Sequence, residues 1–145
     1  MARIAEKKSL GSKKKLDCEN KPMLTEKTFR RIMWQYGKAW ENLDAEAIVK
    51  IFTKDATYQE TPFKKPYRGH EEIKDYWKNV VKKKERDAKF FLGNIFVKDN
   101  IGIAEWKAKF IRRDNGKQEE LRGIILTEVI NDKIKKLWEY WHKSI

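Results

Sequence analysis

Apolar residues follow two rhythms along this chain, and the change of rhythm divides it. Over residues 25–43, Phe29, Ile32, Met33, Tyr36, Trp40 and Leu43 recur at three and four positions, which places them on one face of an amphipathic helix. Asn42 or Asp44 can cap the next segment, where Ala47, Ile48, Ile51 and Phe52 keep the same period in a short second helix ending near Thr53. Thr57 and Tyr58 favour a strand over residues 56–63, with Pro62 confining it to an edge or ending it. After a loop containing Pro66 and Gly69, Ile73, Tyr76, Trp77, Val80 and Val81 predict a third helix over 70–83. The lysines at its end suit a helix carboxyl terminus.

Beyond that point the period is two. Residues 91–98, 101–112, 119–130 and 133–142 form four strand candidates, separated by Asp99 and Asn100, by Asp114, Asn115 and Gly116, and by Asn131 and Asp132. These spacers are hairpin chemistry, since Asn, Asp and Gly tolerate the positive φ of tight turns. Helices followed by an antiparallel meander predict an α+β domain in two layers.

Composition narrows the picture. The 145 residues suffice for one core, filled by six Trp, five Tyr and seven Phe. No apolar run has the length of a membrane span, and the amino-terminal stretch does not read as a secretory signal, so the expected setting is cytoplasmic, with no membrane partner. One Cys and two well-separated His leave no metal site, and no Walker loop, dinucleotide fingerprint or Ser/His/Asp order calls for a cofactor.

The net charge is +12, but a third of it is concentrated in residues 1–21, which hold seven basic and three acidic groups and few large apolar ones. We read residues 1–22 as a mobile basic tail and 23–145 as the domain. Met23 offers an alternative start that would keep the domain whole. The remaining charge is mixed in sign, which argues against specific nucleic-acid binding and leaves only non-specific contact by the Lys-rich tail.

Several stretches carry a family resemblance: 36–44 (YGKAWENLD), 51–58 (IFTKDATY), 67–77 (YRGHEEIKDYW), 104–106 (AEW) and 136–141 (KLWEYW). In this order and spacing, over residues 24–144, the chain resembles the SnoaL-like branch of the nuclear-transport-factor-2-like superfamily. The resemblance implies a cone-shaped fold, with amino-terminal helices on a curved antiparallel sheet enclosing a pocket. It also implies a small-molecule ligand, a homodimer formed through the sheet face, and either cofactor-free isomerase, cyclase or dehydratase chemistry or a non-catalytic binding module.

In the superfamily's ketosteroid isomerases an Asp base works beside an oxyanion hole made of a Tyr and a protonated Asp. Tyr36 matches the Tyr position and Glu60 the base position, so these two are the candidate catalytic residues. The third position here is the apolar Ile125. Tyr58 shares the strand face of Glu60, and Trp40 lies four residues along the helix from Tyr36. Trp106 stands between Ala104 and Ala108, as a pocket floor or as core packing. Arg122 can reach a pocket or decorate the outside. These four are the candidate ligand-binding residues. Trp138 and Tyr140 share one face of the last strand and Leu137, Glu139 and Trp141 the other, with the inward face left open by the pattern.

Overall fold

The computed structural model describes residues 23–144; the reading of residues 1–22 as a mobile tail, which a start at Met23 would remove, lies outside that range. Helix α1 spans Glu26–Glu41, with the Thr25 side chain accepting a hydrogen bond from the Thr28 amide at 3.1 Å as its amino-terminal cap. Helix α2, Ala45–Lys50, is capped in the same way by Asp44, which accepts from Ala47 at 3.1 Å. Strand β1 is Phe52–Gln59 and β2 the two residues Tyr67–Arg68. Helix α3, Gly69–Tyr76, runs on through a π-helical turn, Trp77–Val81, and a last α-turn, Lys82–Lys84. Four long strands complete the chain: β3 (Glu85–Lys98), β4 (Ile101–Arg112), β5 (Gln118–Ile130) and β6 (Lys133–Lys143).

The strands form one sheet in the order β2-β1-β6-β5-β4-β3. The meander β3 to β6 is antiparallel as expected, but β1 pairs with β6 in parallel, so the sheet is mixed and not purely antiparallel. The expected turn residues supply the positive φ the hairpins need: Asp99 at 54°, Asn131 at 50°, Asp132 at 61° and Gly116 at 70°.

Three boundaries differ from the sequence expectation, each for a tertiary reason. The second helix stops at Lys50, short of Thr53, because the Ile51 carbonyl accepts from the Ile134 amide at 2.8 Å and draws the backbone into the sheet. Pairing with β6 also moves β1 towards the amino terminus, so Glu60 and Pro62 lie beyond its end. Strand β3 begins at Glu85 because the polar run 85–90 pairs with the far end of β4, Glu85 opposite Arg112. Its register breaks between Arg86 and Lys89 and again between Leu92 and Ile95, two irregularities of the kind that bend a sheet.

Helix α1 lies against β3, and α3 against β1. Phe29, Ile32, Met33, Ile48, Phe52, Ile73, Ile125, Ile134 and Leu137 are all buried between helices and sheet. The side chain of Thr127, also buried, satisfies its hydroxyl by donating to the Gly102 carbonyl at 3.0 Å. Among the described residues no helix is long and apolar enough to cross a membrane.

Candidate functional site

Strand β6 decides where the chemistry lies. Its pairing turns Leu137 and Glu139 inward and leaves Tyr140 exposed, so a carboxyl group arrives beneath the helices with only 5% of its residue surface accessible. Tyr36 from α1 and Tyr58 from β1, both fully buried, meet it there. The Tyr36 hydroxyl donates to Glu139 Oε1 at 2.6 Å, the Tyr58 hydroxyl donates to the same oxygen, and the two hydroxyl oxygens lie 2.9 Å apart.

Three oxygens thus make three close contacts. When Glu139 is ionised the two phenols supply two protons, one too few for a hydrogen bond along every edge. A proton on Glu139 completes the ring. Burial raises the Glu139 pKa, the two tyrosine bonds and the nearby Trp141 indole oppose the rise, and the Glu60 charge adds to it; the result is about 7. Burial, followed by the Glu139 charge, pushes Tyr58 well above the ordinary phenol value, and burial and Glu139 do the same to Tyr36. The phenols therefore remain donors.

A half-open cleft of about 200 Å³ adjoins this cluster. Trp40, Tyr58, Glu60, Trp77, Glu85 and Glu139 line it; Arg112, Glu119 and Lys143 are also on its wall. Glu85 is a second carboxyl of unusual character. The Trp40 indole donates to its Oε1 at 2.8 Å, yet burial and the charges of Glu139 and Glu119 raise its pKa to about 7, with the Trp40 bond and Lys84 acting the other way. Two basic groups of the wall are already engaged: Arg112 and Lys143 both hold Glu119, at 3.1 and 2.9 Å, and Arg112 also holds Asp114 at 2.6 Å, while Lys84 lies on the wall as well.

The π-helical turn contributes to the wall directly. Its hydrogen bond runs from the Lys82 amide to the Trp77 carbonyl, and Trp77 and Val81, its first and last residues, both line the cleft beside Tyr76. Such single-turn insertions bring an extra residue to one helix face and recur at functional sites.

Of the residues singled out from the sequence, the fold brings Trp40, Tyr58 and Glu60 together on the cleft. Glu60 sits just past the end of β1, paired with Lys64 at 3.7 Å. Tyr36 is behind the wall and reaches the cleft only through Glu139 and Tyr58. Trp106 is packed in the core, stacked on Phe90 with ring centroids 6.0 Å apart, and is not on the cleft wall. Arg122 projects from the opposite side of the sheet, its side chain 72% exposed and paired with Glu120 at 3.1 Å. Glu139 and Glu85 were not singled out. The signal for Glu139 was a lone carboxylate alternating with Leu137 and Trp141; Glu85 lay hidden in a polar run.

This arrangement defines a small α+β protein with acid groups set into the aromatic wall of a half-open cleft. The chain belongs to the SnoaL-like domain family, whose model matches residues 35–137. Two solved structures share the fold. One is a hypothetical protein with a ketosteroid isomerase-like fold from Catenulispora acidiphila DSM 44928, in complex with trimethylamine, at 16% identity and a TM-score of 0.69 over 75% of this chain and 83% of that one. The other is the epoxide hydrolase/cyclase-like enzyme SalBIII of pyran ring formation in the polyether salinomycin, at 17% identity and a TM-score of 0.70 over 81% of this chain and 92% of that one. No protein with a curated description matches the chain by sequence.

Proposed function

We propose that the cleft holds a small, largely apolar molecule and moves a proton on it without a cofactor, as an isomerase, cyclase or dehydratase does. The observation that carries this reading is the buried Glu139 carboxyl, held by Tyr36 and Tyr58 with a pKa of about 7 and facing the cleft. A general acid or base works best with a pKa near the working pH. Glu139 is directly opposite Ile125 in the pairing of β5 with β6. A carboxyl is therefore present one strand away from the position at which the isomerases of this superfamily carry their protonated acid.

In this mechanism Glu60 at the cleft mouth takes a proton from carbon beside a carbonyl. Protonated Glu139 donates to the oxygen on which negative charge develops, and the Tyr36 and Tyr58 hydroxyls, which donate to its other oxygen, stabilise the carboxylate left as that proton moves across. Tyr36 is a positioning residue, acting on the ligand through Glu139. The cleft volume suits a ligand smaller than drug-sized molecules.

The test is deuterium uptake next to the carbonyl of small cyclic ketones in heavy water, followed by NMR with and without the protein. The wild type should accelerate exchange over buffer. Glu60→Gln and Glu139→Gln should each lose on the order of 10² to 10⁴ of that acceleration while remaining folded. Full exchange in either folded variant, or none in the wild type, removes the mechanism.

A second reading, a binding or dimerisation module of cytoplasmic setting, draws on the outer face of the sheet. There Phe96, Ile103, Leu126 and Trp138 align in register across four strands, and Phe96, Ile124 and Tyr140 are exposed. A homodimer through this face should sediment as such at low micromolar concentration and dissociate in Phe96→Ser. A monomeric wild type excludes it.

A further inference from the structure

Four carboxyls and three basic groups line the cleft of this strongly basic chain. The protein carries +12 overall, yet among the described residues neither Glu85 nor Glu139 is salt-bridged to a lysine or arginine; Arg112 and Lys143 on the same wall are held by Glu119 and Asp114, and Lys84 acts on Glu85 by its charge without a salt bridge. Each of these two carboxyls also has one oxygen fixed and one left over. Oε1 of Glu139 takes both tyrosine hydroxyls and Oε1 of Glu85 takes the Trp40 indole, whereas neither Oε2 accepts a protein hydrogen bond among the described residues. A carboxylate oxygen without a protein partner on the wall of an open cleft is a position for a ligand donor or a positive charge.

The walls point the same way. Trp40, Tyr58, Tyr76, Trp77 and Trp141 all line the cleft, and aromatic faces attract cations through their quadrupoles. A bare metal ion does not fit the arrangement: no group of three or more His, Cys, Asp or Glu side chains among the described residues is placed to hold one. Two carboxyls alone are too few ligands for a metal ion, whereas an organic cation can be held by them together with the aromatic wall.

We propose that the cleft takes a small organic cation, an alkylated or methylated ammonium group on a small apolar body, seated by Glu85 and Glu139 against the aromatic wall. This rests on the reading of the cleft as a ligand site and names the class of ligand. The groups facing Glu139 are Tyr36, Tyr58, Glu60, Tyr76 and Trp141; those facing Glu85 are Trp40, Lys84, Glu119 and Glu139. Burial keeps protons on both carboxyls up to about neutrality. A bound cation favours the ionised forms, so binding releases protons, and affinity rises as pH passes from 6 to 8 and then levels.

The experiment is calorimetric titration of the full chain with choline and with 3,3-dimethylbutan-1-ol, its neutral carbon isostere, at pH 6 and pH 8 and matched ionic strength. Choline should bind about tenfold more tightly than the alcohol at pH 8, a preference of the size that cation–π attraction and a buried carboxylate provide. The preference should shrink at pH 6. Glu85→Gln and Glu139→Gln, verified as folded by circular dichroism, should bring choline to the affinity of the alcohol. Equal binding of the two by the wild type at pH 8, binding of neither, or an undiminished preference in both folded variants overturns the inference. If choline fails while ketone exchange proceeds, the ligand class falls alone. If both fail, the cleft is not a ligand site.

Discussion

The two halves of helix α1 present the same apolar stripe to the same sheet and build opposite things. In the first half, Phe29 lies so close to Gly102 that a Cβ there would come within 2.5 Å of the ring, and Ile32 and Met33 fill the interior without a gap. In the second half, Tyr36 and Trp40 carry a hydroxyl and an indole N–H to buried carboxyls, and a cleft opens beside them. Hydrophobic period is the same throughout; what differs is whether each large side chain has a polar end. A Phe or Ile asks only for contact, whereas a buried Tyr or Trp asks for an acceptor as well, and here the acceptors are Glu139 and Glu85.

Substitutions can break this contrast. Phe29→Ala should have the largest effect, about 3 to 5 kcal/mol of lost stability in urea unfolding, because it empties a filled site. It should leave the Glu139 titration where it was. Next comes the pH dependence of stability. A carboxyl raised from 4.5 to about 7 on folding binds its proton more tightly in the native state, so stability is fullest below pH 4.5, falls as pH rises to about 7 and is level above. For buried Glu139 this loss is on the order of 3 kcal/mol. Glu139→Gln should flatten that part of the curve, as unfolding series at pH 4.5, 6 and 8 would show.

Tyr36→Phe comes third, at about 1 to 2 kcal/mol, since it removes a hydrogen bond to a buried acid. It should also move the Glu139 pKa further up, visible in the carboxyl infrared band, because the lost bond favoured the ionised form. At the small end, Arg122→Ala should change stability by less than about 0.5 kcal/mol, its ion pair being exposed. A larger loss there would mean that the outer face is covered in solution.

The sequence carried most of the architecture. The α1 stripe, the bounds of β4 and the Asp and Asn turns could be read because they depend on local period and local φ. The parallel union of β1 with β6 could not, since it joins segments about eighty residues apart and leaves no periodic mark. Glu85 was hidden because the run 85–90 alternates poorly and becomes strand only through its pairing with β4. Alternation in β6 identified two faces but not which was inner, both being rich in large apolar side chains. Trp106 and Arg122 show the complementary gap: alternation assigns a side chain to a face, but not to a depth within the core or to a place along the cleft.

The pairing of the first strand with the last also fixes when the site can come into being. Glu139 lies 103 residues from Tyr36 and 81 from Tyr58, so a chain emerging from the ribosome holds both phenols long before it holds the acid they serve. Closing so large a loop is entropically expensive and comes late in folding. The cluster of two phenols and a carboxyl is therefore incomplete in any copy that stops short of Glu139.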